Sequence, residues 1–342
     1  MRHAQIYLFF FICLAVLSCN QTKSRPDISK IKVNTSIERF DKELNQLKPD
    51  SLQEPTKRLR KKYGRFYDDY IERILTVGSA RDTNYYENLS VILQNPDYLE
   101  LSTTVNQTFP DLKKQESELN LAFRHIRYYY PKQKFPRIIS FISGFAVQTP
   151  LGNDYIGIGL DMFLGNNGDR FYPAIRQSIP QYISRRFRPE YITPRIVETL
   201  AREEMFPEND DSPTLLSKMI YNGKILYFMD AVLPETSDTL KVGYTKEQLQ
   251  WCRDYQGDIW AYFLQNELLY EADYMKIQKY LTEAPFTPGL GENSDSAPKL
   301  GVWTGWQIVK AYMERKPEIT LQQLMLEMDS QKILAESKYK PR

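Results

Sequence analysis

Apolar and polar positions change period along the chain, and the changes mark its elements. Ile6 to Leu17 is almost wholly apolar and follows a short basic start at Arg2 and His3. A run of about a dozen apolar residues suits the h-region of an export signal and is too short to span a bilayer stably. Residues 20–30 (NQTKSRPDISK) are polar and read as a tether. Ile31-Lys32-Val33 is a short strand candidate, and Ile37-Glu38-Arg39-Phe40-Asp41 opens the folded body. From about residue 50 to 130 the period is helical: 51–63, 66–75, 88–94, and a long helix over 112–130. That helix puts Leu119, Leu121, Ala122, Ile126 and Tyr129 on one broad face and stops at Pro131.

The period then shortens. Arg137 to Ile142 is rich in β-formers, Phe145 to Gln148 reads as its hairpin partner across Ser143-Gly144, and Tyr155 to Leu160 makes a third strand. A small, mainly antiparallel sheet is the expectation. Helical segments return at roughly 173–187, 190–204, 213–233, 246–254, 256–270, 273–281, 303–314 and 320–336. The Pro-, Gly- and Ser-rich stretch 284–302 reads as a long loop. Helices, then strands, then helices argue an α+β, predominantly helical fold.

Composition narrows the partners and the compartment. The 45 basic and 43 acidic residues balance, so no polyanion partner is implied and nucleic acid is disfavoured. Of the three cysteines, Cys13 lies in the leader, Cys252 stands alone, and Cys19 follows Val16-Leu17-Ser18. That order is a lipobox, in which small Ser18 fits the signal peptidase and the Cys19 thiol accepts the lipid. An ordinary signal peptide with a stray cysteine is the alternative. The expected organisation is a signal peptide at 1–18, a tether at 19–30 and a single globular domain over 31–342. The lipid is the anchor, and no internal disulfide is expected.

Candidate chemistry is sparse. After the leader only one histidine remains, His125 in the long helix. A catalytic zinc needs two or three nitrogen or sulfur ligands, so no metal and no cofactor are expected. Carboxylates are left: Glu198, flanked by Arg195 and Arg202, reads as a surface ion-pair ladder, and Asp161 and Asp230 line a pocket or serve the fold. Trp303 and Trp306, beside the long loop, suit sugar stacking or core packing. Gly157-Ile158-Gly159 and Gly289-Leu290-Gly291 lack the context of a phosphate cradle.

Blocks spread along the chain carry a resemblance. They include Ile37 to Asp41, Gly159-Leu160-Asp161-Met162-Phe163-Leu164-Gly165, Asn222 to Asp230, Gly243 to Trp251, Ala284-Pro285-Phe286, Gly305-Trp306-Gln307-Ile308-Val309 and Ser337 to Pro341. Together the sequence resembles the GldB gliding-motility lipoproteins of Bacteroidetes. That family is similar in turn to predicted zinc peptidases with a His-Glu-x-x-His helix and a following Glu-Gly helix. The resemblance implies a zincin-like body in which Val197 and Ala201 replace the two ligand histidines, Glu198 remains, and Asn222-Gly223 stands for Glu-Gly. It implies a non-catalytic pseudo-peptidase required for gliding motility, attached to the membrane through lipid on Cys19 and meeting envelope motility or secretion proteins. No acidic residues crowd the positions after Cys19, which favours a periplasm-facing location. Two rival readings stay open: a hydrolase using carboxylates without zinc, and a glycan- or peptidoglycan-binding lipoprotein. Gly223, inside a helix that Ser212 caps and Pro213 opens, costs about 0.5–1 kcal/mol relative to Ala. It is either tolerated or admits a neighbouring backbone.

Overall fold

The computed structural model describes residues 26–209, 213–291 and 295–341; the expected leader, Cys19, most of the tether and the expected helix cap Ser212 lie outside them. The first strand, β1, is Ile37–Arg39. Ile31 to Val33, expected as a strand, pairs with none. Helices then fill the chain: α1 (Phe40–Asn45), α2 (Gln53–Tyr63), α3 (Arg65–Asp69, continued by a wide π turn over Tyr70–Ile74), α4 (Tyr85–Gln94), α5 (Pro96–Thr108) and α6 (Lys113–Tyr129). Strands β2 (Arg137–Phe141) and β3 (Tyr155–Gly159) complete the sheet.

The sheet is parallel throughout, in the order β1-β2-β3, which corrects the antiparallel expectation. Ile37 sits opposite Ile138, and Arg137 to Phe141 pair in step with Tyr155 to Gly159. The expected hairpin fails at its turn. Gly144 and Phe145 both take left-handed backbone (φ +66° and +63°), and the amides of Ser143 and Phe145 turn inward to the Asp161 carboxylate at 2.8 and 2.6 Å. The chain therefore leaves β2 and returns along the far edge of β3. There Gly159 N donates to Gln148 O, Gly157 N to Pro150 O and Gly152 N to Tyr155 O. The opposite edge is also covered: Glu116 and Asn120 of α6 accept from the amides of Ile37 and Thr35.

Both faces of the sheet are buried, as parallel strands require. Ile138, Ile142, Ile156 and Ile158 point into a large apolar core shared with the later helices. Ile139, Phe141 and Tyr155 point into an aromatic cluster with Phe40, Tyr63, Phe66, Tyr67 and Tyr70 from α1 to α3. Phe40 meets Tyr63 and Tyr70 edge-on at 4.9 Å, the favoured geometry for aromatic pairs.

After β3 come α7 (Ile192–Thr199, continued by a π turn over Leu200–Met205), α8 (Leu215–Val232), α9 (Lys246–Asp254), α10 (Gln256–Gln265), α11 (Leu300–Arg315), α12 (Leu321–Leu326) and α13 (Ser330–Ser337). The helix expected over 173–187 reduces to single turns at Tyr172–Ile175 and Gln181–Ser184, separated before Pro180. Thr214 caps α8 by accepting from Ser217 N.

Helices α8 and α11 form the densest contact in the later half, and glycine makes it possible. A Cβ on Gly305 would lie 1.8 Å from Met219 O, and one on Gly223 would lie 2.3 Å from Gly305 O. The mid-helix Gly223 thus admits a neighbouring backbone. Gly301, one turn before Gly305, makes a similar approach to Tyr280 O. Helix α11 is consequently buried nearly all round, with Trp303 2% and Trp306 0% exposed.

Candidate functional site

Helices α7 and α8 bring together the positions that the zinc-peptidase resemblance singles out. Val197 and Ala201, one turn apart, are fully buried in the main core. Glu198 lies beside them but is no surface ladder, because its side chain is only 16% exposed. Its Oε2 accepts from Arg195 at 2.5 Å and its Oε1 from Arg202 at 2.8 Å. Burial alone would raise the Glu198 carboxyl, but Arg195 and Arg202, with Lys299 beyond them, outweigh it and hold the group down at about 2. Arg202, on the π turn, also donates to Asn222 Oδ1 at 3.0 Å. Glu198, Arg202 and Asn222 therefore form one chain across the α7–α8 contact.

A second, half-buried cluster of three charges adjoins it. Glu283 takes Arg186 at 2.8 Å and Lys299, the residue before α11, in a short contact. Burial pushes the Lys299 ammonium down, against the pull of Glu283. Lys299 was not legible as a neighbour of Glu198, since it lies about a hundred residues downstream in the expected loop.

The remaining candidates are separate from this cluster. Asp161 is fully buried, and both its oxygens are taken by Ser143 N, Ser143 Oγ and Phe145 N. Burial pushes its carboxyl up while those donors pull it down. Asp230 accepts from Trp306 Nε1 at 2.8 Å and Lys241 Nζ at 2.8 Å, and Lys310 lies over the Trp306 ring. Of the two uses expected for Trp303 and Trp306, the structure places both rings in core packing rather than at a pocket wall. A more accessible aromatic pair lies elsewhere: half-buried Trp251 of α9 and exposed Tyr255 at its C-cap, 4.9 Å apart. His125 is buried on α6. Among the described residues no group of three or more His, Cys, Asp or Glu side chains is placed to hold a metal ion.

A cleft of about 410 Å³ opens beside the α7–α8 contact, lined by Met205, Phe206, Tyr221, Lys224 and Met325. Lys224 donates to Met325 O at 3.1 Å and Glu327 O at 2.8 Å, so it holds the end of α12. Burial lowers its ammonium to about 8, with Glu327 opposing. At the rim Leu326 and Met328 are 78% and 65% exposed. Adaptable methionines around an apolar cleft suit contact with another protein.

The comparison that decides the family spans nearly the whole chain: the model of gliding motility protein GldB matches residues 21–341. The chain belongs to the GldB family. That membership makes gliding motility the process and a lipoprotein the form. Among the described residues no helix is long and apolar enough to cross a membrane, which fits envelope attachment through a lipid. No curated protein and no solved structure matches the chain. For this GldB family member, then, the site's chemistry must be read from the site itself.

Proposed function

We propose that this protein is a lipid-tethered, periplasm-facing, non-catalytic component of the gliding-motility apparatus. In this reading it is a degenerate zincin-like scaffold that works through protein–protein contacts. The observation that carries it is the state of Glu198. A general base must be free to take a proton near the working pH, and a carboxylate clamped by two guanidiniums at about 2 takes none. Val197 and Ala201 fill with apolar volume the positions where two imidazoles would stand. Asp161 and Asp230, the other carboxylates a metal-free hydrolase would need, have their oxygens engaged by donors. The exposed Leu326 and Met328 at the mouth of the methionine-lined cleft favour a protein partner.

Two measurements on the purified chain test this. Bound metal is quantified, and cleavage of peptide libraries is followed with and without chelator; stoichiometric zinc or chelator-sensitive cleavage would overturn the scaffold reading. Crosslinked capture of motility or secretion proteins from envelope membranes supports it.

A glycan-binding reading keeps one specific support. Trp251 and Tyr255 line a small cleft with Asp258, an apolar platform beside a carboxylate that suits a pyranose ring. Saturable quenching of tryptophan fluorescence by cell-wall fragments, lost in Trp251→Ala, tests it.

A further inference from the structure

A different cleft, of about 430 Å³, lies between the segment after β3 and the turns that replace the expected 173–187 helix. Its walls carry three guanidiniums, Arg176, Arg185 and Arg188, with the amides of Asn166 and Gln181 and one carboxylate, Asp169. Among the described residues no carboxylate lies within ion-pairing distance of any of the three. That sets them apart from Arg170, Arg186, Arg195 and Arg202 nearby, each of which has a Glu partner.

Arg185 is the most informative of the three. It is half-buried, and neutral acceptors alone fix it: Tyr182 O at 3.1 Å, Gly243 O at 3.2 Å and Gln248 Oε1 at 2.9 Å. Those bonds use Nε and Nη2, and Nη1 has no acceptor among the described residues. Burial and the adjoining Arg186 both work against its charge. Arg188 has only a long contact to Asn166 Oδ1 at 3.4 Å, and Arg176 is exposed. Like charges gathered around one cavity repel one another. Orienting one of them with neutral groups costs desolvation that no directly paired anion offsets, and the more distant Glu283 opposes it only in part.

We propose that this cleft is an anion site that takes a phosphate monoester. Three guanidiniums against one carboxylate suit a dianion, which is close to the charge of a phosphate monoester at neutral pH. Donors arriving from several segments suit a tetrahedral oxyanion better than a planar carboxylate, and arginine forks are matched to phosphate oxygens. The same chemistry comes from two sources: a soluble phosphate ester, or the phosphomonoester head group of a membrane lipid within reach of a tethered protein.

The test uses the full chain in non-ionic detergent. Calorimetric titration with inorganic phosphate and glycerol 3-phosphate forms the soluble arm, short-chain phosphatidic acid the lipid arm, and acetate the control. Saturable binding in either phosphate arm, without binding of acetate, is expected; the arm that binds more tightly names the source. Because Arg185 also anchors Gly243 and Gln248, the decisive variant is Arg176→Gln with Arg188→Gln, which alters exposed side chains only. It should weaken phosphate binding by at least about tenfold, the loss expected of charge-assisted bonds. Its unfolding temperature should stay that of the parent. Absence of binding in both phosphate arms, equal binding of acetate, or unchanged affinity in the double variant would overturn the proposal.

Discussion

Substituting Gly305 by alanine tests the packing that organises the later half of the molecule. In an exposed helix interior the change would stabilise by about 0.5–1 kcal/mol, because alanine loses less backbone entropy. Here the new Cβ would sit 1.8 Å from Met219 O, while carbon and oxygen approach no closer than about 3.3 Å. Helices α8 and α11 would have to part by about 1.5 Å. Such a gap forfeits much of the dispersion contact along the pair. Overpacking costs about 1–3 kcal/mol, and a backbone-on-backbone clash belongs at the top of that range. With the propensity gain subtracted, the net loss is about 2 kcal/mol or more. At roughly 2 °C per kcal/mol for a chain of this size, the unfolding midpoint should fall by about 4 °C. Gly223→Ala, with its Cβ 2.3 Å from Gly305 O, should fall less. The double variant should cost less than the sum of the two, because one separation of the helices accommodates both methyls. Thermal unfolding followed by circular dichroism gives all three values. An unchanged or raised midpoint for Gly305→Ala would refute the reasoning.

Further expectations concern titration and exposure. The Glu198 carboxyl lies at about 2 in the folded chain against an ordinary 4.5, so its stabilisation is complete above pH 4.5 and lost as pH falls toward 2. That amounts to at most roughly 3 kcal/mol, and Glu198→Gln should flatten this acid limb in urea titrations at stepped pH. An acid limb of unchanged slope would show that the arginine clamp is not in force in solution. Lys224 has the opposite sign. Its folded value of about 8 lies below the ordinary 10.5, so the unfolded chain holds the extra proton between them and stability should rise with pH across that window. Lys224→Met should abolish the rise, and its persistence would assign it to another group. Iodide quenching of intrinsic fluorescence should fall mainly in Trp251→Phe and little in Trp303→Phe or Trp306→Phe; substantial loss in the latter two would contradict their burial.

Much of the helical half was legible because its signals are local. Helix α9 over Lys246–Asp254 has the bounds expected of it, and α6 and α8 fall within a residue or two. The sheet was misread because its decisive partner is remote: β1 is three residues long and lies about a hundred residues before β2, with no hairpin turn to announce it. One clue was present, since Ile138, Ile139, Phe141 and Ile142 are apolar on both faces, as a strand covered on both sides must be. The site was half legible. Glu198 and its two arginines are i−3 and i+4 neighbours on one helix, so their pairing could be read, but their burial against Asn222 and Lys299 depends on tertiary contacts. Trp303 and Trp306 misled because proximity to a loop in sequence says nothing about which side of α11 faces out, and glycine packing leaves that helix almost no outer side.

The covered sheet margins limit how this molecule can be recruited. Residues 148–152 lie along β3, and Glu116 and Asn120 occupy the amides beside β1, so among the described residues an incoming extended segment finds no open ladder to join. Recruitment by strand donation is thereby closed, and so is the edge-to-edge stacking that crowded proteins must avoid. Whatever binds this protein has to read helix faces, clefts and charge, a mode in which affinity is adjusted one side chain at a time.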